Sequence, residues 1–272
     1  MAPITVIIAA QLYTIRHQIT SVAALSHALQ QLAEIGYRGV ELGGMRILEG
    51  PQPELSVPDL KRMLDDAGLQ CVGTHKRWRE IRDHTSRVTE MLHSLECTTV
   101  TIPAFDDDFD RFDPASYTAF ATESMPITAD LASNGIRLAY HNHAHEFLRF
   151  GPDRRNLLDI LIDQPSLAIE IDVYWAAFAG INPEHLIQRL PGRQPLLHCK
   201  DLEIVCDDGL PARAVDAPVG EGNLNWTRIL EASGAAGTGV WVVEQDECRR
   251  DPFDCLRSSY NFLSCRANWR GP

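Results

Sequence analysis

Eight short apolar runs, each followed by a segment with apolar residues at helical spacing, fill this chain of 272 residues from end to end. The strand-like runs are "ITVIIAAQLY" (4–13), "GVELGG" (39–44), "QCVGTHKRW" (70–78), "TVTIPAF" (99–105), "IRLAYHNH" (136–143), "LAIEIDVYW" (167–175), "PLLHCKD" (195–201) and "GVWVVEQDE" (239–247). The helical segments carry their own boundary signals. Ser21 stands as an N-cap before "VAALSHALQQLAEIGY", and "SVPDLKRMLDDAGL" has Pro58 in its first turn and Gly68 near its end. Further helices are expected over 79–96, up to "LASNG", and in "NLLDILIDQ", "NPEHLIQRL", "NWTRILEASGAAG" and "PFDCLRSSYNFLSC". Eight β-α pairs in succession are what a closed (β/α)8 barrel requires. An open doubly wound sheet would carry a glycine-rich phosphate turn after its first strand, and "AAQLYTIR" has none. The expected fold is therefore an α/β TIM barrel. No linker or composition break divides the chain, so residues 1–272 read as one domain.

Charge narrows the function classes. A formal net charge of −12 argues against a surface that neutralises nucleic-acid phosphates or adheres to anionic lipid. No apolar run approaches the length of a membrane span, and the start lacks the basic residue of a secretory signal. The seven cysteines are odd in number and form no Cys-x-x-Cys pair, which reads as reduced thiols. The expectation is a soluble, cytoplasmic protein with no nucleic-acid or membrane partner.

In a (β/α)8 barrel the chemistry lies at the C-terminal ends of the strands. Those ends carry Glu41, His75, His141, His143, Glu146, Asp172, His198, Lys200, Glu244 and Asp246. Alternation of faces puts Leu167, Ile169 and Ile171 outward and Glu170 and Asp172 inward; His198, Lys200, Glu244 and Asp246 are inward by the same parity. Glu146, Asp172, His198 and Glu244 thus converge from four consecutive strands on one mouth. Three carboxylates gathered there would repel one another, and a divalent cation removes that penalty. The set suits one Mn²⁺, with Mg²⁺, Co²⁺ or Zn²⁺ as alternatives. A single acidic residue ending a strand is ordinarily a cap or an ion-pair partner; coincidence across four strands is what carries the metal reading. Glu170, deeper in its strand, is left to that ordinary reading of a cap or ion-pair partner; Cys71 and Trp241 are assigned to packing, and Cys199 faces away.

The stretch "AYHNHAHEF" (139–147) leaves the fifth-strand ligand open. His141 and His143 point inward by alternation, and Glu146 does so only if the strand bends or ends after His143. Either histidine could take the place of Glu146, with the other orienting substrate or moving protons. His145 continues the parity beyond the strand, where exposure is expected.

Taken together, "QLYTIR", "IGYRGVEL", "DDAGLQCVGTH", "YHNHAHEF", "EIDVYWA", "LLHCKD", "VGEGNLNW" and "VVEQD" resemble the sugar phosphate isomerase/epimerase superfamily, the xylose isomerase-like TIM barrels, in order and over essentially the whole chain. The resemblance implies a divalent metal held by Glu146, Asp172, His198 and Glu244, and a sugar, keto-sugar or polyol substrate. One departure is visible: Ala144-His145 stands where similar sequences usually carry Asp-Phe. The implied reaction is isomerisation or epimerisation by proton abstraction next to a carbonyl, through an enediolate, with dehydration or elimination from a 3-keto-glycoside or an inosose as the alternative. His143 is the favoured base, since an unperturbed imidazole titrates near neutrality; Glu244 or Glu146 is the alternative base or the opposing acid. Arg16, His75, His141 and Lys200 would orient substrate, and Trp78, Tyr174 and Trp175 could offer it apolar faces. Gly220–Asn223, in "VGEGN", is expected to close over it. Lys200 and Arg16 are the only evident anion-binding groups, which favours a non-phosphorylated substrate. A DNA-repair phosphodiesterase on the same barrel is disfavoured by the acidic charge balance. A homodimer is the default assembly for a soluble enzyme.

Overall fold

The computed structural model describes residues 6–48, 53–207, 209 and 211–267. Eight parallel strands close a barrel: β1 (Ile7–Gln11), β2 (Gly39–Leu42), β3 (Gln70–His75), β4 (Thr99–Ile102), β5 (Arg137–His141), β6 (Ala168–Asp172), β7 (Leu197–Cys199) and β8 (Val240–Val243). Each pairs with its neighbours in chain order, and β1 closes the ring by pairing Ile7 with Val240. Residues Ile4 and Thr5 of the first expected strand lie outside the described residues.

Local sequence explains the elements. Ser21 Oγ accepts from Ala24 N at 3.1 Å and starts the helix Val22–Ile35, whose Leu25, Ala28, Leu29, Leu32 and Ile35 form its buried stripe. Ser56 caps Val57–Asp66 in the same way. The helix expected over 79–96 is two, Trp78–Asp83 and Thr85–Ser94, because His84 takes non-helical dihedrals. The sixth run also divides. Asp172 turns from last strand residue into N-cap, so Val173–Phe178 is helical rather than extended.

Strand parity divides the interior in two. Ile169, Ile171, Leu197, Cys199, Trp241 and Val243 join the large apolar core between barrel and helices. Ala9, Leu196 and Val242 form a small apolar plug inside the ring, with Val72 and Val240 against it. Other inward positions carry polar groups, among them Glu41, Glu170, His198 and Asp172, all fully buried. Two antiparallel hairpins, unforeseen in the sequence, decorate the barrel: Asp201–Val205 with Arg213–Ala217, and Arg149–Phe150 with Arg155–Asn156. Cys71, Cys97, Cys199, Cys248, Cys255 and Cys265 are free thiols. Among the described residues, no helix is long and apolar enough to cross a membrane.

Candidate active site

Barrel register assembles the site. Asp172 faces His198 across β6 and β7, His141 faces Glu170 across β5 and β6, and Gln11 faces Glu41 across β1 and β2. One ligating atom each from His141, Asp172, His198 and Glu244 lies within 4.8 Å of the others. His198 Nδ1 is 3.1 Å from Glu244 Oε2, and His141 Nε2 is 3.8 Å from Asp172 Oδ2. Asp172 Oδ1 accepts from Trp175 N at 3.1 Å as the helix cap. Its Oδ2 is buried and has no hydrogen-bond partner among the described residues.

A second tier lies beneath. Glu170 Oε1 is 2.8 Å from His75 Nε2, 3.0 Å from His141 Nδ1 and 3.0 Å from His198 Nε2. Glu170 Oε2 accepts from Thr101 Oγ1 at 2.8 Å. Glu41 Oε2 is 2.7 Å from His198 Nε2 and accepts from Gln11 Nε2 at 2.8 Å. The imidazoles of His75 and His198 stack with centroids 5.5 Å apart.

Of the expected ligands, Glu146 is carried elsewhere. The fifth strand ends at His141, and the chain turns into a 3-10 helix over His145–Phe147. There Glu146 accepts from Tyr140 Oη at 2.9 Å and from His143 N at 2.8 Å, and lies 3.0 Å from His145 Nε2. It forms a separate group with His143 and His145. His141 is the fifth-strand residue that meets Asp172, His198 and Glu244. His145, expected exposed, is partly buried against Glu146 and Phe112.

The other candidates divide. Lys200 is buried between Asp246, Glu244 (3.7 Å) and Asp172 (4.0 Å), and its ammonium lies 5.1 Å from the Trp175 ring and 5.4 Å from that of Tyr174. Trp175 also sits 5.6 Å from the His143 ring, so these aromatics line the site. Trp78 does not: it is buried in the outer core against Phe120, with Nε1 bonded to Glu123. Arg16 stacks on Tyr13 and pairs with Glu247 at 3.3 Å. The loop expected to act as a lid is tied down. Gly220 N, Gly222 N and Trp226 Nε1 all donate to Asp201 Oδ2, at 2.8, 3.1 and 2.6 Å.

Sequence reasoning named Glu41 at a strand end and Glu170 inside the barrel but missed the histidines that each of them meets. Parity put Glu170 inside the barrel; its depth concealed that three histidines converge on it. The signal for Glu41 was Gly73 on the neighbouring strand. A Cβ there would fall 2.6 Å from Glu41 Oε1, so the bare backbone makes room for the carboxylate.

Burial and charge oppose each other throughout. Burial alone would lower the basicity of His198, yet Glu170, Glu41 and Glu244 outweigh it and raise its pKa well above the usual imidazole range. Burial would raise Glu244, but Lys200 and His198 hold it well below the carboxylate range. Burial dominates at Asp172, which is pushed up to about 7 against the pull of Lys200 and His198. His141 and His143 are pulled down by burial, to about 4 and about 3, with a neighbouring histidine adding to the effect. Two imidazoles and two carboxylates, one with an unpartnered buried oxygen, form a donor set that fits a divalent cation.

Beside the mouth, Tyr174, Arg213, Asp216, Glu247 and Arg249 line a cavity of about 380 Å³. A larger groove of about 510 Å³, running from Pro114 past Met125 to Gln164, contains none of the site residues.

The family model "Xylose isomerase-like TIM barrel" matches residues 29–263. The rhizopine catabolism protein MocC of Rhizobium meliloti is 24% identical, the match covering 88% of this chain and 81% of that protein. A sugar phosphate isomerase/epimerase of Parabacteroides distasonis superposes with a TM-score of 0.75 at 20% identity, covering 97% of this chain and 98% of the other. A probable 3-DHS dehydratase, AsbF of Bacillus anthracis, superposes with a TM-score of 0.70 at 16% identity over 95% and 98% of the two chains. At these identities the superpositions speak to the fold.

Proposed function

The chain belongs to the xylose isomerase-like TIM barrel family, and from that premise we propose that it is a divalent-metal-dependent isomerase or epimerase of a keto-sugar or related polyol. The observation that carries the reading is the convergence of His141, Asp172, His198 and Glu244 around the unpartnered Asp172 Oδ2. These four residues are the proposed ligands. Taking His141 in place of Glu146 exchanges a carboxylate for an imidazole, which favours Mn²⁺, Co²⁺ or Zn²⁺ over Mg²⁺. Bound there, the ion supplies positive charge beside a substrate carbonyl and makes the neighbouring carbon acid stronger.

The chain's own groups handle the proton and the substrate. Glu244, 6% exposed at the mouth beside His198 and Lys200, is the acceptor we assign to the carbon-bound proton. His143, neutral and beside Trp175, is the second proton-handling group; its Nδ1 has no partner among the described residues. Glu146 acts through His143, whose backbone N–H it holds. Lys200 presents a buried ammonium to a substrate oxygen, and Tyr174 joins the metal site to the adjoining cavity, which is large enough for a monosaccharide.

Turnover of candidate keto-sugars in D₂O tests the reading. Deuterium should enter the carbon next to the carbonyl without change of molecular formula. Loss of water would instead identify an elimination. Glu244→Gln should slow exchange by about 10²–10⁴-fold with the fold intact. Unchanged exchange in that variant removes Glu244 from the reaction.

A further inference from the structure

We propose that Glu41 and Glu170, buried one tier below the mouth, are positioning carboxylates that fix the ring orientation and tautomer of the two histidines assigned to the metal. The proposal rests on the reading of His141, Asp172, His198 and Glu244 as the metal site. Each imidazole has one nitrogen toward that group and the other toward the lower tier. His141 turns Nε2 to Asp172 and Nδ1 to Glu170 at 3.0 Å. His198 turns Nδ1 to Glu244 and Nε2 to Glu41 at 2.7 Å. An imidazole that binds a cation through one nitrogen must carry its proton on the other, and an acceptor there sets which is which. The two histidines therefore ligate through different atoms: His141 through Nε2, His198 through Nδ1.

The carboxylates are themselves held. Thr101 Oγ1 donates to Glu170 and Gln11 Nε2 donates to Glu41, both at 2.8 Å. All four of these side chains are fully buried, so bulk water does not compete for the contacts. His75 shares Glu170 Oε1 at 2.8 Å and stacks on His198; with His141, Glu170 and His198 it makes a second cluster of ligand-type atoms within 4.8 Å of one another, but it has no nitrogen in the upper group. Two carboxylates and three imidazoles in a dry barrel make a costly packing device, since apolar side chains of similar volume would fill the space without desolvating charge. Orientation of metal ligands gives the arrangement a use.

Two measurements test this. In full-length protein, Mn²⁺ affinity is read by competition with a chelator for wild type, Glu170→Gln, Glu41→Gln and Thr101→Val, with thermal unfolding of each ion-free protein as the check on folding. Loss of a ligand-orienting carboxylate should weaken Mn²⁺ binding by about 10–100-fold in a folded protein. A packing role alone would lower the unfolding temperature and leave affinity within about twofold, and that result overturns the proposal. The second measurement needs no variant: ¹⁵N NMR of histidine-labelled wild type loaded with Zn²⁺. It should find the ring proton on Nδ1 of His141 and on Nε2 of His198; the reverse tautomer at either overturns it. Wild type that takes up neither ion removes the metal reading itself, an outcome distinct from equal affinities across the series.

Discussion

Asp172 and His198 stand opposite one another on adjacent strands of the barrel, and a cation held by either is within reach of both. Asp172→Asn keeps the helix cap to Trp175, because an amide oxygen caps as a carboxylate does. It removes one of several buried like charges. The ion-free variant should therefore unfold at the wild-type temperature or above it, while Mn²⁺ binding and turnover are lost. Thermal scans with and without Mn²⁺ check both halves. A variant that retains Mn²⁺-dependent stabilisation contradicts the assignment of Asp172.

Metal affinity should rise with pH. In the ion-free protein Asp172 holds its proton up to about pH 7, and His198 holds its own well above the usual imidazole range. Both are protonated below those values, and a cation must displace those protons. Loading should therefore strengthen as pH increases from about 6 to about 8, with protons released. Calorimetry in buffers of different ionisation enthalpy counts them. Affinity that is flat across this range, with no proton release, is the contrary result.

Lys200 is 1% exposed and faces Asp246, Glu244 and Asp172. Lys200→Met takes from these acids the ammonium they share, and loss of one member of a buried ionic set costs about 3–5 kcal/mol. Chemical denaturation should show most of this loss in the ion-free protein. Saturating Mn²⁺ should restore part of it, because the added charge replaces the ammonium. Equal destabilisation with and without Mn²⁺ would place Lys200 outside the electrostatic unit.

Gly73 yields its side-chain space to Glu41 Oε1, 2.6 Å from where a Cβ would be. Gly73→Ala should destabilise by about 1–3 kcal/mol through overpacking. The same change in a Glu41→Asp background, where the carboxylate is withdrawn, should cost less. Additive losses across this double-mutant cycle would mean that the two positions do not compete for space.

Barrel, strand order and most helices were legible because a closed parallel barrel needs two periodicities in strict alternation, and this chain supplies them throughout. Parity alone placed Asp172, His198 and Glu244 on one mouth, where the structure brings their ligating atoms together. What failed to read out was decided over a single turn of backbone. Strand β5 stops at His141, which sends Glu146 into its own group with His143 and His145. The loop at Gly220 looks unrestrained by composition but is anchored on Asp201, a contact nineteen residues away that no local pattern announces. Trp78, three residues beyond the end of β3, turns into the outer core instead of the mouth.

The central claim is best tested by anomalous diffraction from crystals of the full chain loaded with Mn²⁺. The account predicts a strong peak among His141 Nε2, Asp172 Oδ2, His198 Nδ1 and Glu244 Oε2, at coordination distance from all four. A peak among His143, His145 and Glu146, or no ordered ion on the barrel axis at full loading, would contradict it.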